Sequence, residues 1–104
     1  MNVLISTLKE ELKTAKQLER KYLKRLKELP KGSFILRARG ERRYGYLTRR
    51  EGDRIVQQYV GLLNEETIKE YRRAGELKKE YRKKLKSVRE QMKILEKALR
   101  GKTA

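Results

Sequence analysis

The chain has 104 residues, 30 of them Lys or Arg and 14 Asp or Glu, for a formal charge of +16, and it contains neither Cys nor His. Disulfides, thiol chemistry, the usual zinc sites and the commonest general base are therefore excluded. With 37% hydrophobic and 42% charged residues, a wide globular core is out of reach, and an architecture that needs only a narrow apolar seam is favoured.

The first predicted element is a helix over residues 3–29. Ile5, Leu8, Leu12, Ala15, Glu19, Tyr22, Leu26 and Leu29 follow one another at alternating steps of three and four, the spacing of one helical face. Asn2 or Thr7 is placed to cap its start, the latter with Glu10 three residues on. Pro30 ends it, because the residue before a proline is steered out of helical geometry.

A β-meander is predicted over residues 33–61. Phe34, Leu36 and Ala38 alternate with Ile35, Arg37 and Arg39; Tyr44, Tyr46 and Thr48 alternate with Gly45, Leu47 and Arg49; Ile55, Gln57 and Tyr59 alternate with Val56, Gln58 and Val60. Gly40, the Glu51-Gly52-Asp53 turn and Gly61 punctuate the runs, as in a hairpin series. One face is expected to be apolar and aromatic and the other rich in arginine, with both faces mixed to a degree and one side packed on the helices.

A second helix is predicted over residues 65–99. Asn64 is a good N-cap, Glu65 and Glu66 suit the positive helix end, and Tyr71, Ala74, Lys78, Tyr81, Leu85, Val88, Met92, Leu95 and Leu99 repeat the three-four spacing. Gly101 is placed to terminate it. The two seams predict an antiparallel coiled-coil hairpin or a helix-mediated dimer, with Glu19 and Lys78, the two charged seam positions, as candidates for a register-fixing pair. About ten residues of the longer second helix lack a partner in such a hairpin, at 1.5 Å rise per residue, which predicts a homodimer. The whole chain, 1–104, thus reads as one α+β domain of two long helices flanking a three-stranded antiparallel sheet.

Candidate chemistry centres on binding. The carboxylates are scattered beside lysines on helix faces, where ion pairing is their ordinary role, and the glycines lack the spacing of a phosphate-cradling loop. No enzyme, metal or cofactor is expected. The charge is spread as +5, +4 and +7 over residues 1–32, 33–61 and 62–104, a field that attracts polyanions. Seven arginines and no lysine fall between Ser33 and Gly61: Arg37, Arg39, Arg42, Arg43, Arg49, Arg50 and Arg54. Arginine grips phosphate or base edges through a planar fork, and the interleaved Tyr44, Tyr46 and Tyr59 can stack on bases or serve as cross-strand pairs. Arginines also guard edge strands, but lysine is the commoner guard. Lys79, Arg82, Lys83 and Lys86 on the second helix supply further phosphate contacts or merely solvate it. The sequence therefore predicts a non-enzymatic DNA- or RNA-binding protein; the alternative is an adaptor, antitoxin or inhibitor whose basic surface docks an acidic protein. No apolar run approaches the roughly 20 residues of a membrane span, and a basic-then-apolar leader is lacking, so no membrane partner and a cytoplasmic location are expected.

Leu29-Pro30-Lys31-Gly32-Ser33, Arg39-Gly40, Tyr44-x-Tyr46-Leu47, Arg50-x-Gly52 and Tyr59-Val60-Gly61 followed by a Lys/Glu/Leu helix resemble a family of small uncharacterised bacterial and archaeal proteins. The tyrosine pair before an Arg-x-Gly turn and a closing Tyr-Val-Gly is also similar to the N-terminal region of some DDE-type transposases. The likeness implies a meander followed by a coiled coil in a mobile-element or phage setting. It brings no acidic triad for strand transfer. The helix-sheet-helix order is also similar to prefoldin subunits, whose longer helices and acidic character set them apart.

Overall fold

The computed structural model describes residues 2–103. Its elements are α1 (Val3–Glu28), β1 (Ser33–Arg39), β2 (Arg42–Glu51), β3 (Arg54–Leu62) and α2 (Glu65–Thr103). This is the expected α+β arrangement, two helices flanking a three-stranded antiparallel sheet of order β1-β2-β3. Two compact units divide the chain: residues up to Leu26 together with those from Glu80 onward, and residues Lys27–Lys79.

In the first unit the two helical segments run antiparallel. Asn2 is the cap, its Oδ1 accepting from the Leu4 amide at 3.0 Å. Thr7 lies a turn inside and donates its hydroxyl to the Val3 carbonyl instead. Ala15 is 2% exposed and packs with Val88 and Leu95, with Leu8, Leu12, Leu18, Tyr22 and Met92 around them. A buried alanine at the centre of this cluster needs only a narrow seam, which suits a chain with few large apolar residues. The Tyr22 and Tyr81 rings meet with centroids 6.0 Å apart.

That contact fixes the register and corrects the expected Glu19–Lys78 pair. In an antiparallel hairpin, a step from Tyr22 toward the N-terminus of α1 meets residues beyond Tyr81 on α2. Glu19 accordingly accepts from Arg89 Nε at 3.0 Å, while Lys78 Nζ donates to the Gly32 carbonyl at 2.9 Å. The end of α2 differs as well: the helix continues through Gly101 to Thr103. A glycine costs only about 1 kcal/mol in a helix, and good helix formers precede it; Lys97 and Arg100 also suit the negative helix end.

In the second unit, Arg39 pairs with Arg42 and Glu51 with Arg54, so both hairpin loops have two residues. Gly40 (φ 62°) and Gly52 (φ 60°) open them, and the following Glu41 and Asp53 do not have positive φ. Glycine at the first central position is the type II′ pattern, whose twist matches the flanking strands. Asn64 caps α2 as expected, accepting from the Thr67 amide and hydroxyl at 2.9 Å each.

The start of α2 packs against one sheet face. Leu63 donates its amide to the Arg43 carbonyl at 2.9 Å and lays its side chain where a Cβ on buried Gly45 would fall. The Tyr71 ring stacks on Phe34 at 4.9 Å and 9°. Leu47 and Ile68 are buried, and Ala74 lies beside Phe34, Leu47 and Tyr71. The part of α2 expected to lack a partner is thus covered by the sheet, and this removes the structural motive for the expected homodimer. The reason is the tight Leu62-Leu63 joint, which turns the helix back onto the strands.

Candidate nucleic-acid interface

Strand register sorts the side chains, because directly paired residues share a face and successive residues alternate. Phe34–Leu47, Leu36–Gly45, Ala38–Arg43, Leu47–Gln58, Arg49–Val56 and Glu51–Arg54 belong to the face that meets α2. Ile35–Tyr46, Arg37–Tyr44, Arg39–Arg42, Thr48–Gln57, Arg50–Ile55, Tyr46–Tyr59 and Tyr44–Leu62 belong to the opposite, outer face.

The seven sheet arginines therefore divide. Arg43, Arg49 and Arg54 lie on the helix-facing side. Arg43 donates to Glu65 at 2.8 Å, and Arg49 donates to Glu51 at 2.9 Å and to Gln58 at 2.7 Å. These contacts tie the unit together and leave the Arg43 and Arg49 guanidinium groups engaged, while Arg54 is exposed. Arg37, Arg39, Arg42 and Arg50 lie on the outer face, all exposed, and no strand residue of that face carries a carboxylate. Arg39 and Arg42 are directly opposite each other. Like charges so placed destabilise a sheet, and an anion between them reverses the sign of that interaction. Arg50 is steadied at the second turn, its Nε donating to the Gly52 carbonyl at 3.3 Å.

The tyrosines share this outer face, which corrects the expectation of an aromatic face opposed to an arginine face. Tyr46 is the cross-strand partner of Tyr59 and Tyr44 its diagonal neighbour: the Tyr59 ring centre lies 6.4 Å from that of Tyr44 and 5.4 Å from that of Tyr46, both tilted. The Arg37 guanidinium sits 5.2 Å from the Tyr46 ring centre, a cation–π distance. Tyr44 and Tyr46 are half-buried, Tyr59 is 57% exposed, and Ile55 and Leu62 beside it are 77% and 59% exposed.

Leu62 and Ile35 were not singled out from sequence. Strict alternation places Gly61, not Leu62, with Tyr59. A register shift between Gly45 and Tyr46 moves Leu62 opposite Tyr44, so the extra residue, Val60, returns Leu62 to the outer face; a bulge of this kind inserts one unpaired residue. Gly61, beside the bulge, has φ 137°, and a glycine inside a strand pattern is the signal by which the sequence marks such a site.

The helix residues fall elsewhere on α2. Lys79 is exposed at the end of the second unit, and Arg82, Lys83 and Lys86 are exposed in the first. Arg82 and Lys86 border buried Leu85 together with Arg89 and Lys93 in a shallow groove. Among the described residues, no group of three or more His, Cys, Asp or Glu is placed to hold a metal ion, and no helix is long and apolar enough to cross a membrane.

No protein-family model, curated protein or solved structure matches the chain.

Proposed function

We propose that this chain is a non-enzymatic nucleic-acid-binding protein whose contact surface is the outer face of the β-sheet. The observation that carries the reading is the cross-strand Arg39–Arg42 pair, flanked by Arg37 and joined by Arg50 on a face whose strands bear no carboxylate. A polyanion offsets the repulsion within that set and meets four forked donors. Diffuse positive charge from Lys79, Arg82, Lys83 and Lys86 adds sequence-independent attraction. The similarity of the Tyr-x-Tyr and Arg-x-Gly segments to transposase N-terminal regions makes a mobile element or phage the proposed setting.

The test is purification at low and high salt, followed by a salt titration of binding to duplex DNA, single-stranded DNA and structured RNA. Nucleic acid that copurifies at low salt and leaves at high salt, with log K falling linearly in log salt, supports the reading. Absence of binding near physiological salt, with a stoichiometric acidic protein recovered instead, replaces it with a protein-docking function.

A further inference from the structure

We infer that the outer face binds unpaired nucleotides, with Tyr59 as the ring on which a base stacks; this rests on the nucleic-acid reading above and narrows its ligand. The arginines alone do not distinguish strands, since a duplex and a single strand both offer phosphates. The apolar surface does. Ile55, Tyr59 and Leu62, the exposed large apolar residues of the sheet, all belong to β3 and to the same outer face as Arg37, Arg39, Arg42 and Arg50. A duplex keeps its base faces stacked inside and presents phosphates and groove edges. It can neutralise the arginines, yet it has no flat apolar surface to lay on β3. A single strand has both components: its phosphates pair with guanidinium groups, and its splayed bases present π faces to aromatic side chains.

The geometry around Tyr59 fits this division of labour. Its ring is braced on one side by Tyr46 and Tyr44, and Tyr46 is in turn held by Arg37, so a base meets a positioned ring. Residues 55 to 64 contain no charged side chain, an unusual stretch in a chain that is 42% charged. Edge strands are ordinarily protected by charge. Here the outer face of β3 lacks it, since Arg54, the one charged residue of that strand, belongs to the helix-facing side, while β1 and β2 carry the outer arginines, so a bound strand can place its bases over β3 and its phosphates over β1 and β2.

The experiment compares four ligands: oligothymidylate, oligouridylate, a duplex of matched length and an abasic strand that keeps the phosphates without the bases. They are titrated with the parent protein, Tyr59→Ala and Tyr59→Phe. The chain has six tyrosines and no tryptophan, so the part of the tyrosine quenching on binding that disappears in Tyr59→Phe reports stacking on Tyr59, and circular dichroism confirms that the variants fold. The expected result is tighter binding of either base-bearing single strand than of the duplex or abasic strand. Tyr59→Ala should lose roughly 5- to 150-fold for the single strands, the span of measured base–aromatic contacts. Its loss for the duplex should be smaller than for the single strands, and Tyr59→Phe should retain affinity. Preference between thymidylate and uridylate distinguishes DNA from RNA as the source. Equal affinity for duplex or abasic strand, with Tyr59→Ala silent, overturns the inference and leaves the nucleic-acid reading standing. Failure of all four ligands to bind overturns both.

Discussion

Replacing Gly32 by Ala should cost far more stability than the same change at Gly40, although both glycines have positive φ. Gly32 stands immediately before β1 with φ 98°, Gly40 opens the first hairpin loop with φ 62°, and an L-residue in such conformations costs roughly 1–2 kcal/mol. The surroundings separate them. A Cβ on Gly32 falls 2.6 Å from the Thr48 carbonyl oxygen and 3.0 Å from its carbon, whereas a Cβ on Gly40 has nothing within 4 Å. The obstacle at Gly32 is backbone of the central strand, which cannot rotate away as a side-chain tip can. Relieving it by displacing strands adds about 1–3 kcal/mol, the usual cost of overpacking. It also disturbs the partly buried hydrogen bond from Lys78 to the Gly32 carbonyl, worth about 1.5–3 kcal/mol at most because its donor is charged. The total for Gly32→Ala is therefore about 2–5 kcal/mol from backbone conformation and overpacking before any loss of that hydrogen bond, a large share of the roughly 5–15 kcal/mol that stabilises a typical domain. Gly40→Ala should cost only about 1–2 kcal/mol. Urea unfolding followed by far-ultraviolet circular dichroism measures both. Equal losses, within about 0.5 kcal/mol, would refute the close approach of Gly32 to β2.

Gly45→Ala should destabilise by about 1–3 kcal/mol, since the new methyl falls 2.4 Å from Leu63 Cδ1 and 3.0 Å from Phe34 Cε1. The cost should shrink in a Leu63→Ala background, and additivity in that unfolding cycle would count against the packing of Leu63 over the sheet. The Glu19–Arg89 ion pair has Arg89 about half exposed, so a double-mutant cycle on it should return no more than about 1 kcal/mol. The 12.5 kDa chain should sediment as a monomer at high micromolar concentration, because the sheet covers the start of α2; a species of twice that mass would restore the dimer expected from the seams.

Heptad spacing, the cap at Asn64 and the two Gly-led turns were legible in the sequence because each is local: a helical face, an N-cap and a type II′ loop are set within a few residues. The helix register was not. Glu19 and Lys78 share an exceptional polarity along their seams, but the partner of a seam position depends on where the hairpin closes, and the meander between the helices hides that distance. The sheet faces were half legible. Alternation placed Tyr44 and Tyr46 together, yet the pairing of Arg37 with Tyr44 and of Arg39 with Arg42 depends on loop length, and the shift opposite Gly45 and Tyr46 brings Leu62 to the outer face. A set of seven arginines that looked uniform in sequence therefore divides into Arg43 and Arg49, held by contacts within the fold, exposed Arg54 on the same side, and an open basic face of four.

That division is tested most directly by three charge-matched variants: Arg37, Arg39 and Arg42 to Gln; Arg43, Arg49 and Arg54 to Gln; and Lys79, Lys83 and Lys86 to Gln. Each removes three positive charges, and each is titrated with oligothymidylate across a range of salt after circular dichroism confirms folding. The outer-face variant should lose the most affinity and flatten the slope of log K against log salt by about 2, at roughly 0.7 per phosphate contact on a single strand. The other two should lose less, with smaller changes in slope, since Arg43 and Arg49 are already engaged with Glu65, Glu51 and Gln58 and the lysines contribute as point charges. Equal losses and equal slopes for the outer-face and lysine variants would contradict the outer sheet face as the binding surface and reduce the interaction to bulk charge.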